Sequence, residues 1–409
     1  MKKISISGLF LAAALVASAQ ADLLKQAEKS FKGIKEYPEY EAKVKEIEPL
    51  FTNPETMKQA QTYYIPGKAA FDVYDNLYLK MQLGQKPDPK QMGQSILDGY
   101  NYFMKALPLD PVTDTKGKTK TKYTKNIINI ISGHHNDFSN AGAFLWDAKD
   151  YKGCYDAFEI YCTLPSNPLL GKDAPKAPAD SVIGMTRYNQ ALAAWQANDL
   201  DKAIDAFSKA INLGHVNNDL LNYACSVAAQ AKNNDKLVEF AQKGIELYGN
   251  TNPNYMLYLL NSYVENKDFA TAHKVLNDAI AKNPNVAEYY FSLGVIDESE
   301  GNYESAEKNY KKAIDMKPEY AAAYQNYGRM LVERHDKINA TGDNMSQADY
   351  NKLRAETLRP ILLEAAGVFE KAYELDPENL RDALNYLRNI YYALEDAANL
   401  ERIENLLKN

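Results

Sequence analysis

The sequence predicts an all-α protein made of stacked helix pairs. Two observations support this fold class: a period of about 34 residues, clearest over 184–320, and small residues that recur at the same positions of each copy. One copy has Ala306, Tyr310, Ala313 and Pro318, and the positions 34 residues earlier hold Ala272, Leu276, Ala279 and Pro284. A period of this length indicates units that bury their apolar faces against their neighbours.

Residues 287–320 show what each recurring position does. Gly294 and Ala306 are small enough for the two helices of a pair to cross closely. Gly301-Asn302 is a turn signal between the helices. Pro318 is expected to end the second helix, because proline lacks the amide N–H that a helix needs.

These positions resemble the tetratricopeptide repeat (TPR), a helix, a tight turn and a second helix. The resemblance implies a right-handed superhelix, an α-solenoid, of about eight helix-turn-helix repeats, two of them with insertions. The whole chain resembles the exported TPR proteins of Bacteroidetes, and that resemblance implies no established activity. Terminal repeats of a solenoid are expected to be atypical, because an uncapped end would expose apolar surface.

The first residues predict export. Residues 1–19 have the composition of a signal peptide: Lys2-Lys3, an apolar run, and then Ala17-Ser18-Ala19 as a small-residue cleavage signature, with Ala21 as the alternative site. No later stretch is apolar enough to predict a transmembrane segment. We therefore expect a periplasmic protein first and a secreted one second.

The rest of the chain can be divided into segments according to how closely each one follows the repeat pattern. We expect helices at 22–33 and 38–52, one long helix over 123–149, and inserted segments near 72–92 and 332–359; Pro360 either kinks a helix or opens the next one. The predicted segments are a degenerate repeat at 20–54, irregular repeats with an insertion at 55–168, a connection at 169–183, four regular repeats at 184–320, a repeat with an insertion at 321–379, and capping helices at 380–409.

Composition and motifs exclude several functions. The net charge of −7 argues against nucleic-acid binding. The sequence has no phosphate-binding loop, no dinucleotide fingerprint and no zinc-protease motif. We expect no catalytic residues, no metal and no cofactor. His134, His135 and Asp137 are interpreted as polar residues on the exposed side of a helix, and His273 as an isolated side chain.

The three cysteines predict buried free thiols rather than disulfides. Cys154 and Cys162 lie eight residues apart on one predicted helix, too far along its axis to be bridged. Cys225 occupies a small-residue packing position of its repeat.

A partner-binding groove is the leading site hypothesis. In the family, the first helix of each repeat lines a concave surface that binds peptides. Aromatic and asparagine side chains suit an extended polypeptide, since a ring covers a backbone and an amide bonds to it. The candidates are Tyr188, Asn189, Trp195, Asn222, Tyr223, Tyr258, Asn261, Phe291, Asn326 and Arg329. Among them only Arg329 suits the family's clamp for C-terminal carboxylates, so the pattern does not support such a clamp.

A second candidate surface is a basic loop in this acidic chain. It could contact an anionic envelope polymer or lipid surface, although a solvated loop is the simpler interpretation. Its lysines are Lys116, Lys118, Lys120, Lys122 and Lys125.

Together these observations predict a non-enzymatic exported scaffold or adaptor. It would bind a protein or peptide through the groove or through the inserted segments. The alternative is a glycan- or envelope-polymer-binding protein.

The repeat register predicts that Ala306→Leu overpacks a helix crossing. We expect the variant to lose about 1–3 kcal/mol of unfolding free energy, as measured by denaturant melts. Ala322→Leu is the matched control, because position 322 lies outside the recurring small-residue positions. Equal melting of the wild type and Ala306→Leu would contradict the register.

Overall fold

The computed structural model describes residues 23–113, 116–249, 252 and 254–408. The predicted signal peptide at 1–19 lies outside these residues. Nearly all described elements are helices joined by short turns, which confirms the all-α prediction. The described strands are β1 (Val112–Thr113) and β2 (Thr119–Lys120), which pair antiparallel.

The chain forms two compact units, one up to Phe240 and one from Ala241. The boundary falls inside a helix of the predicted regular array. The helices of the first unit are α1 (residues 23–30), α2 (Tyr37–Thr52), α3 (Ala60–Gln82), α4 (Pro89–Ala106), α5 (Thr124–Gly133), α6 (His135–Asp147), α7 (Tyr151–Thr163), α8 (Asp180–Gln196), α9 (Leu200–Asn212), α10 (Asn218–Gln230) and the first part of α11 (Asn234–Tyr248).

The second unit continues the pattern of helix pairs. Within it α14 packs on α15, α16 on α18, and α19 on α20, as α8 packs on α9 in the first unit. Its helices after α11 are α12 (Asn254–Glu265), α13 (Phe269–Lys282), α14 (Ala287–Glu300), α15 (Tyr303–Met316), α16 (Ala321–Ala340), α17 (Gln347–Leu353), α18 (Arg359–Leu375), α19 (Asp382–Ala393) and α20 (Ala397–Lys408).

The turn inside a helix pair has one recurring geometry. A residue with positive φ follows the first helix, and the next amide donates to the carbonyl five residues back, as Asp199 N does to Ala194 O at 2.9 Å. This bond satisfies a helix-end carbonyl that would otherwise lack a donor. The positive-φ residues of these turns are Lys149, Asn198, Lys232, Lys267, Gly301 and Glu395.

The residue after the positive-φ position begins the second helix. It is Asp or Asn in each of these turns, and in most of them its side chain caps the new helix. Asp268, for example, accepts from the amide of Thr271 at 3.2 Å. A short acceptor side chain at this position satisfies one of the free amides of the first helical turn. The same two residues therefore end one helix and begin the next.

Glycine allows aromatic rings to enter the crossing between paired helices. A Cβ added to Gly294 would lie 2.7 Å from the ring of Tyr310, which is fully buried with Ala306. A Cβ added to Gly142 would lie 2.4 Å from the ring of Phe158. Because these glycines have no side chain, a ring of the partner helix packs directly against their backbone. This contact increases the apolar area buried at the crossing.

The inserted residues mostly extend existing helices. The segment 72–92 forms the end of α3, a turn at Gly84 with positive φ, and the start of α4. Pro66 lies inside α3. The segment 332–359 completes α16, passes through α17 and a π-helical stretch at Arg354–Leu358, and enters α18, where Pro360 occupies the first turn.

The expectation of one long helix over 123–149 is wrong. The chain breaks at His134, whose amide still bonds to Ile130 while its ψ of 13° leaves the helical range. The helices α5 and α6 lie on either side of this break. Helical periodicity continues across the break, so the pattern alone could not reveal it.

The predicted basic loop contains a small hairpin, anchored by Asp110. This carboxylate is 4% exposed and accepts from the amides of Lys122, Tyr123 and Thr124 at 2.7 to 3.1 Å, and from the Thr124 hydroxyl at 2.7 Å. It therefore caps the start of α5 from a distant position in the chain. Burial opposes its charge, but these hydrogen bonds outweigh burial and lower the pKa of Asp110.

The turn geometry predicts opposite effects at two equivalent positions. Gly301→Ala is expected to lose about 1–2 kcal/mol, because a Cβ strains the left-handed backbone although the space around it is open. Lys267→Gly is expected to gain about 0.5–1 kcal/mol by relieving that strain. Paired denaturant melts measure both changes, and a shift of the same sign in the two variants would contradict the assignment.

Asp110 predicts an acid-labile hairpin. Because the pKa of Asp110 is lower in the folded state, its carboxylate stabilises the fold at pH values above the unfolded-state pKa of about 3.9. This stabilisation disappears as the pH falls through the folded-state pKa. We expect amide exchange at Lys122–Thr124, corrected for intrinsic rates, to lose protection in acid. Asp110→Asn should lose about 1–3 kcal/mol of this protection already at neutral pH.

The matched control for this prediction is Asp343→Asn, since Asp343 is an exposed carboxylate of another turn. This variant should leave exchange in the hairpin unchanged. Protection that persists in acid in the wild type would rule out anchoring by the charged form of Asp110.

Candidate functional site

In the first unit, the predicted groove residues lie on α8 and α10, the first helices of two consecutive pairs. The rings of Trp195 and Tyr223 contact each other with centroids 5.6 Å apart, and Trp195 Nε1 donates to Gln230 Oε1 at 3.1 Å. Tyr223 remains 39% exposed. This contact joins the two helices by side chains that still reach solvent.

A stripe along α8 also carries exposed apolar groups. Met185 is 55% exposed and Val182 44% exposed, and Asn189 lies one turn beyond Met185 on the exposed side. The spacing of these three residues follows a single helical stripe. We call the surface of Val182, Met185, Asn189, Trp195 and Tyr223 the α8–α10 face.

Tyr188 and Asn222 contribute less surface. The Tyr188 ring is half-buried, with centroids 6.2 Å from Phe207 and 5.7 Å from His215, and burial raises the pKa of its hydroxyl. Asn222 is also half-buried on α10. Tyr188 therefore packs its own helix pair as well as bordering the exposed face.

In the second unit, the predicted residues are more involved in packing. Phe291 is half-buried against Tyr310 and Tyr320, with ring centroids 5.9 Å and 5.1 Å away. Tyr258 is half-buried and Asn261 is exposed on α12. These positions offer a less continuous exposed surface than the α8–α10 face.

Arg329 is already paired within the fold. Its guanidinium lies 2.9 Å from the carboxylate of Glu298 and donates to Asn326 Oδ1 at 3.1 Å. Glu298 is buried, and burial raises its pKa although Tyr310 donates to it and Arg329 lies near. Arg329 therefore compensates a buried acid, and this role competes with binding a carboxylate ligand.

The five lysines of the predicted basic loop are all exposed. The ammonium of Lys122 lies 4.8 Å from the centroid of the Tyr123 ring, and Lys120 is in strand β2. The hydroxyls of Thr113 and Thr119 are 2.9 Å apart across the strand pair. Lys116 and Lys118 precede β2, Lys122 follows it, and Lys125 lies on α5.

The expectation of exposed histidines at 134 and 135 is wrong. His135 is buried, stacks on Tyr161 and contacts its carbonyl at 2.8 Å. His134 bonds to the Ile130 carbonyl and, at 2.9 Å, to Asp75. Burial opposes its charge, yet these partners raise the pKa of His134. Both rings hold the α5–α6 break against neighbouring helices.

His273 is also not isolated. Its Nε2 lies 2.8 Å from a carboxylate oxygen of Glu300 and 3.5 Å from one of Asp297. Sequence reasoning missed this cluster, because the histidine belongs to α13 and both acids belong to α14. A signal was present in the three-residue spacing of Asp297 and Glu300, which places both on one helix face.

The cysteines are free thiols, as expected. Cys154 and Cys225 are buried and Cys162 is half-buried. Burial raises the thiol pKa to about 12 at Cys154 and Cys225 and to about 11 at Cys162. Such thiols are poor nucleophiles at neutral pH.

Among the described helices, none is both long and apolar enough to cross a membrane.

Comparison with known proteins gives partial matches. Heat shock protein STI1 of Saccharomyces cerevisiae is 34% identical over 100 residues, or 24% of this chain and 17% of that protein. Protein O-mannosyl-transferase TMTC3 of Homo sapiens is 27% identical over 218 residues, or 49% of this chain and 23% of that protein. The chain spans less than a quarter of the length of each relative.

Solved structures of repeat proteins are also similar. A TPR protein of Bacteroides fragilis is 17% identical, covers 63% of this chain and 98% of its own, and gives a TM-score of 0.33. One from Parabacteroides merdae is 13% identical, covers 63% and 99%, and gives 0.35. YrrB, described as a TPR protein with an unusual peptide-binding site, is 15% identical, covers 64% and 97%, and gives 0.30. TM-scores this low carry no argument about function.

Matches in sequence identify repeats in two parts of the chain. Family models for the tetratricopeptide repeat match residues 186–213 and 259–321. These segments contain the α8–α9 pair and the α13–α15 region, where the structure has the recurring turn. Residues 186–213 and 259–321 therefore match tetratricopeptide repeats.

Proposed function

We propose that this chain is a non-enzymatic scaffold that binds a protein or peptide partner. The observation that carries the proposal is the α8–α10 face, where exposed aromatic, apolar and amide groups lie on the first helices of consecutive repeats. Exposed apolar groups on neighbouring helices are typical of surfaces that bind a partner. The tetratricopeptide family matches support an interaction role for such a protein.

The chemistry of the face favours an extended polypeptide as the partner. The Trp195 and Tyr223 rings offer flat apolar surface that is already ordered by their mutual contact and by Gln230. Ordered side chains lose less conformational entropy on binding. Asn189 supplies an exposed amide that both donates and accepts, as a peptide backbone requires. Asn222 and Tyr188 border this surface.

The same proposal includes the predicted groove residues of the second unit. Tyr258, Asn261, Phe291 and Asn326 are all accessible to some degree on first helices of their repeats. Arg329 joins them as a positioning residue, because it holds the carboxylate of Glu298. We place the main affinity on the α8–α10 face, where the larger exposed fractions lie.

Export belongs to the same proposal. It rests on the composition of residues 1–19, with the periplasm as the first destination and secretion as the second. An exported scaffold of this kind would resemble the TPR proteins of Bacteroidetes named above.

The basic hairpin supports a second candidate, contact with an anionic envelope polymer. Five exposed lysines on an anchored segment would attract such a polymer even in an acidic chain. This binding would weaken steeply with salt, because it depends on charge at an exposed surface. Peptide binding at the apolar α8–α10 face would change less with salt.

Site-directed crosslinking tests the proposal. We would place a photo-crosslinking residue at Asn189 in the mature chain and expose it to cell-envelope extract. We expect a protein partner whose crosslinked peptide joins α8 or α10, with at least about tenfold less product in the double variant Trp195→Ala, Tyr223→Ala. Far-UV circular dichroism would verify that this variant folds.

Tyr392→Ala is the matched control, because Tyr392 is an exposed aromatic residue of α19, with 74% exposure. It should leave the crosslink intact. Equal crosslinking by the chain labelled at position 189 with and without the double substitution would refute binding at the α8–α10 face. Salt-sensitive retention on an anionic polysaccharide would support the second candidate instead, if it occurs without any protein crosslink and is lost when the five lysines of the basic loop become glutamine.

A further inference from the structure

The side chains of His273, Asp297 and Glu300 converge in the second unit. One ligand atom from each residue can be chosen so that all three lie within 4.8 Å of one another. His273 belongs to the second helix of one repeat, and the two acids belong to the first helix of the next. The cluster therefore spans a boundary between repeats rather than stabilising a single pair.

Asp297 is the least expected member of the cluster. Its side chain is 5% exposed, and a buried carboxylate is costly unless its oxygens are paired. Ser305 Oγ and Asn309 Nδ2 both donate to Oδ2 at 2.7 Å. The other oxygen, Oδ1, faces Nε2 of His273 at 3.5 Å, longer than a good hydrogen bond. One oxygen is thus held by two neutral donors while the other is directed at the cluster.

The backbone also fixes the two acids. The carbonyl of Asp297 accepts from the amide of Asn302 at 2.8 Å, the recurring long bond of the turn. Glu300 immediately precedes the positive-φ residue Gly301 and receives a weaker hydrogen bond from Asn302 Nδ2 at 3.3 Å. The turn that ends α14 therefore orders two ligand groups.

Repeat packing does not require these residue types. The positions 34 residues before Asp297 and Glu300 hold Tyr263 and Asn266, and the position 34 residues after His273 holds Glu307. A neighbouring repeat thus forms the same turn without the cluster. Among the residues that the structure describes, this boundary combines an imidazole with two carboxylates in one cluster.

We propose that His273, Asp297 and Glu300 bind a divalent transition cation of the Zn²⁺ class. One imidazole nitrogen and two carboxylate oxygens suit such ions, whereas Mg²⁺ and Ca²⁺ prefer oxygen alone. Small side-chain rotations bring the three atoms to the roughly 3.4 Å spacing of a tetrahedral ion with bonds of about 2.1 Å. Ser305 and Asn309 orient Asp297 as the outer hydrogen bonds of metal sites do.

The proton balance on binding is simple. A neutral His273 takes the Nδ1–H tautomer, so that the lone pair of Nε2 meets the ion; a protonated ring releases its Nε2 proton to solvent. The two acids bind as carboxylates. His273 and Glu300 are partly exposed, at 29% and 27%, which gives the ion a path from solvent.

The bound cation would join α13 to α14. It replaces the contact between His273 and Glu300 with bonds to a shared ion, and so couples two neighbouring repeats. This function is independent of the α8–α10 face, which belongs to the other unit. The two proposals can therefore fail separately.

Calorimetric titration of the full chain with ZnCl₂ tests the site. We expect one equivalent of Zn²⁺ to bind in the wild type, and His273→Ala and Glu300→Gln each to weaken affinity at least tenfold. Asn309→Ala should weaken it about 10- to 100-fold through Asp297. Zn²⁺ should also raise the melting temperature of the wild type more than that of these variants.

His335→Ala is the matched control, since His335 lies on α16 of the same unit and pairs with Asp336. It should leave Zn²⁺ affinity unchanged. If His273→Ala does not fold in the absence of metal, Glu300→Gln becomes the deciding variant. Glu300 is partly exposed, and glutamine has nearly the shape of glutamate, so this variant is expected to fold. Unchanged affinity in that folded variant, no binding by the wild type, or a sulfur ligand in X-ray absorption would overturn the proposal.

Discussion

The turn between the two helices of a pair is the constraint on which the rest of the structure depends. Its left-handed residue lets the chain reverse, and the amide that follows satisfies a carbonyl of the helix just ended. The next Asp or Asn then starts the second helix. Because the turn has almost no freedom, the crossing of each pair is set, and small residues such as Gly294 must lie where Tyr310 enters.

The exposed surfaces follow from this packing. While one side of α8 is buried against its neighbours, Met185 and Val182 on the same helix remain exposed. Trp195 and Tyr223 meet across the repeat boundary and remain partly in solvent. A regular array thus leaves these side chains exposed without any residue departing from its helix. The same geometry in the second unit turns Phe291 inward, against Tyr310 and Tyr320.

In the described part of the chain, individual polar side chains stabilise features that occur once and are not repeated along the array. Asp110 anchors the lysine-rich hairpin by capping α5, and His134 and His135 hold the break between α5 and α6. Arg329 is committed to Glu298. At the boundary between α13 and α14, by contrast, the imidazole of His273 and two carboxylates meet, one of the acids buried and held from behind by Ser305 and Asn309. Such an arrangement suits a cation better than it suits packing alone.

The sequence by itself determined the helix pairs, since small residues at a fixed period and turn signals such as Gly301-Asn302 act locally. It also contained the paired signal at Lys149-Asp150, Asn198-Asp199, Lys232-Asn233 and Lys267-Asp268, although a lysine in a left-handed turn is hard to recognise without the geometry. Only the tertiary structure decided the break at His134, the partner of Asp110 and the cluster around His273. Those contacts join residues distant in the chain, and periodicity carries no information about which side chains meet across separate helices.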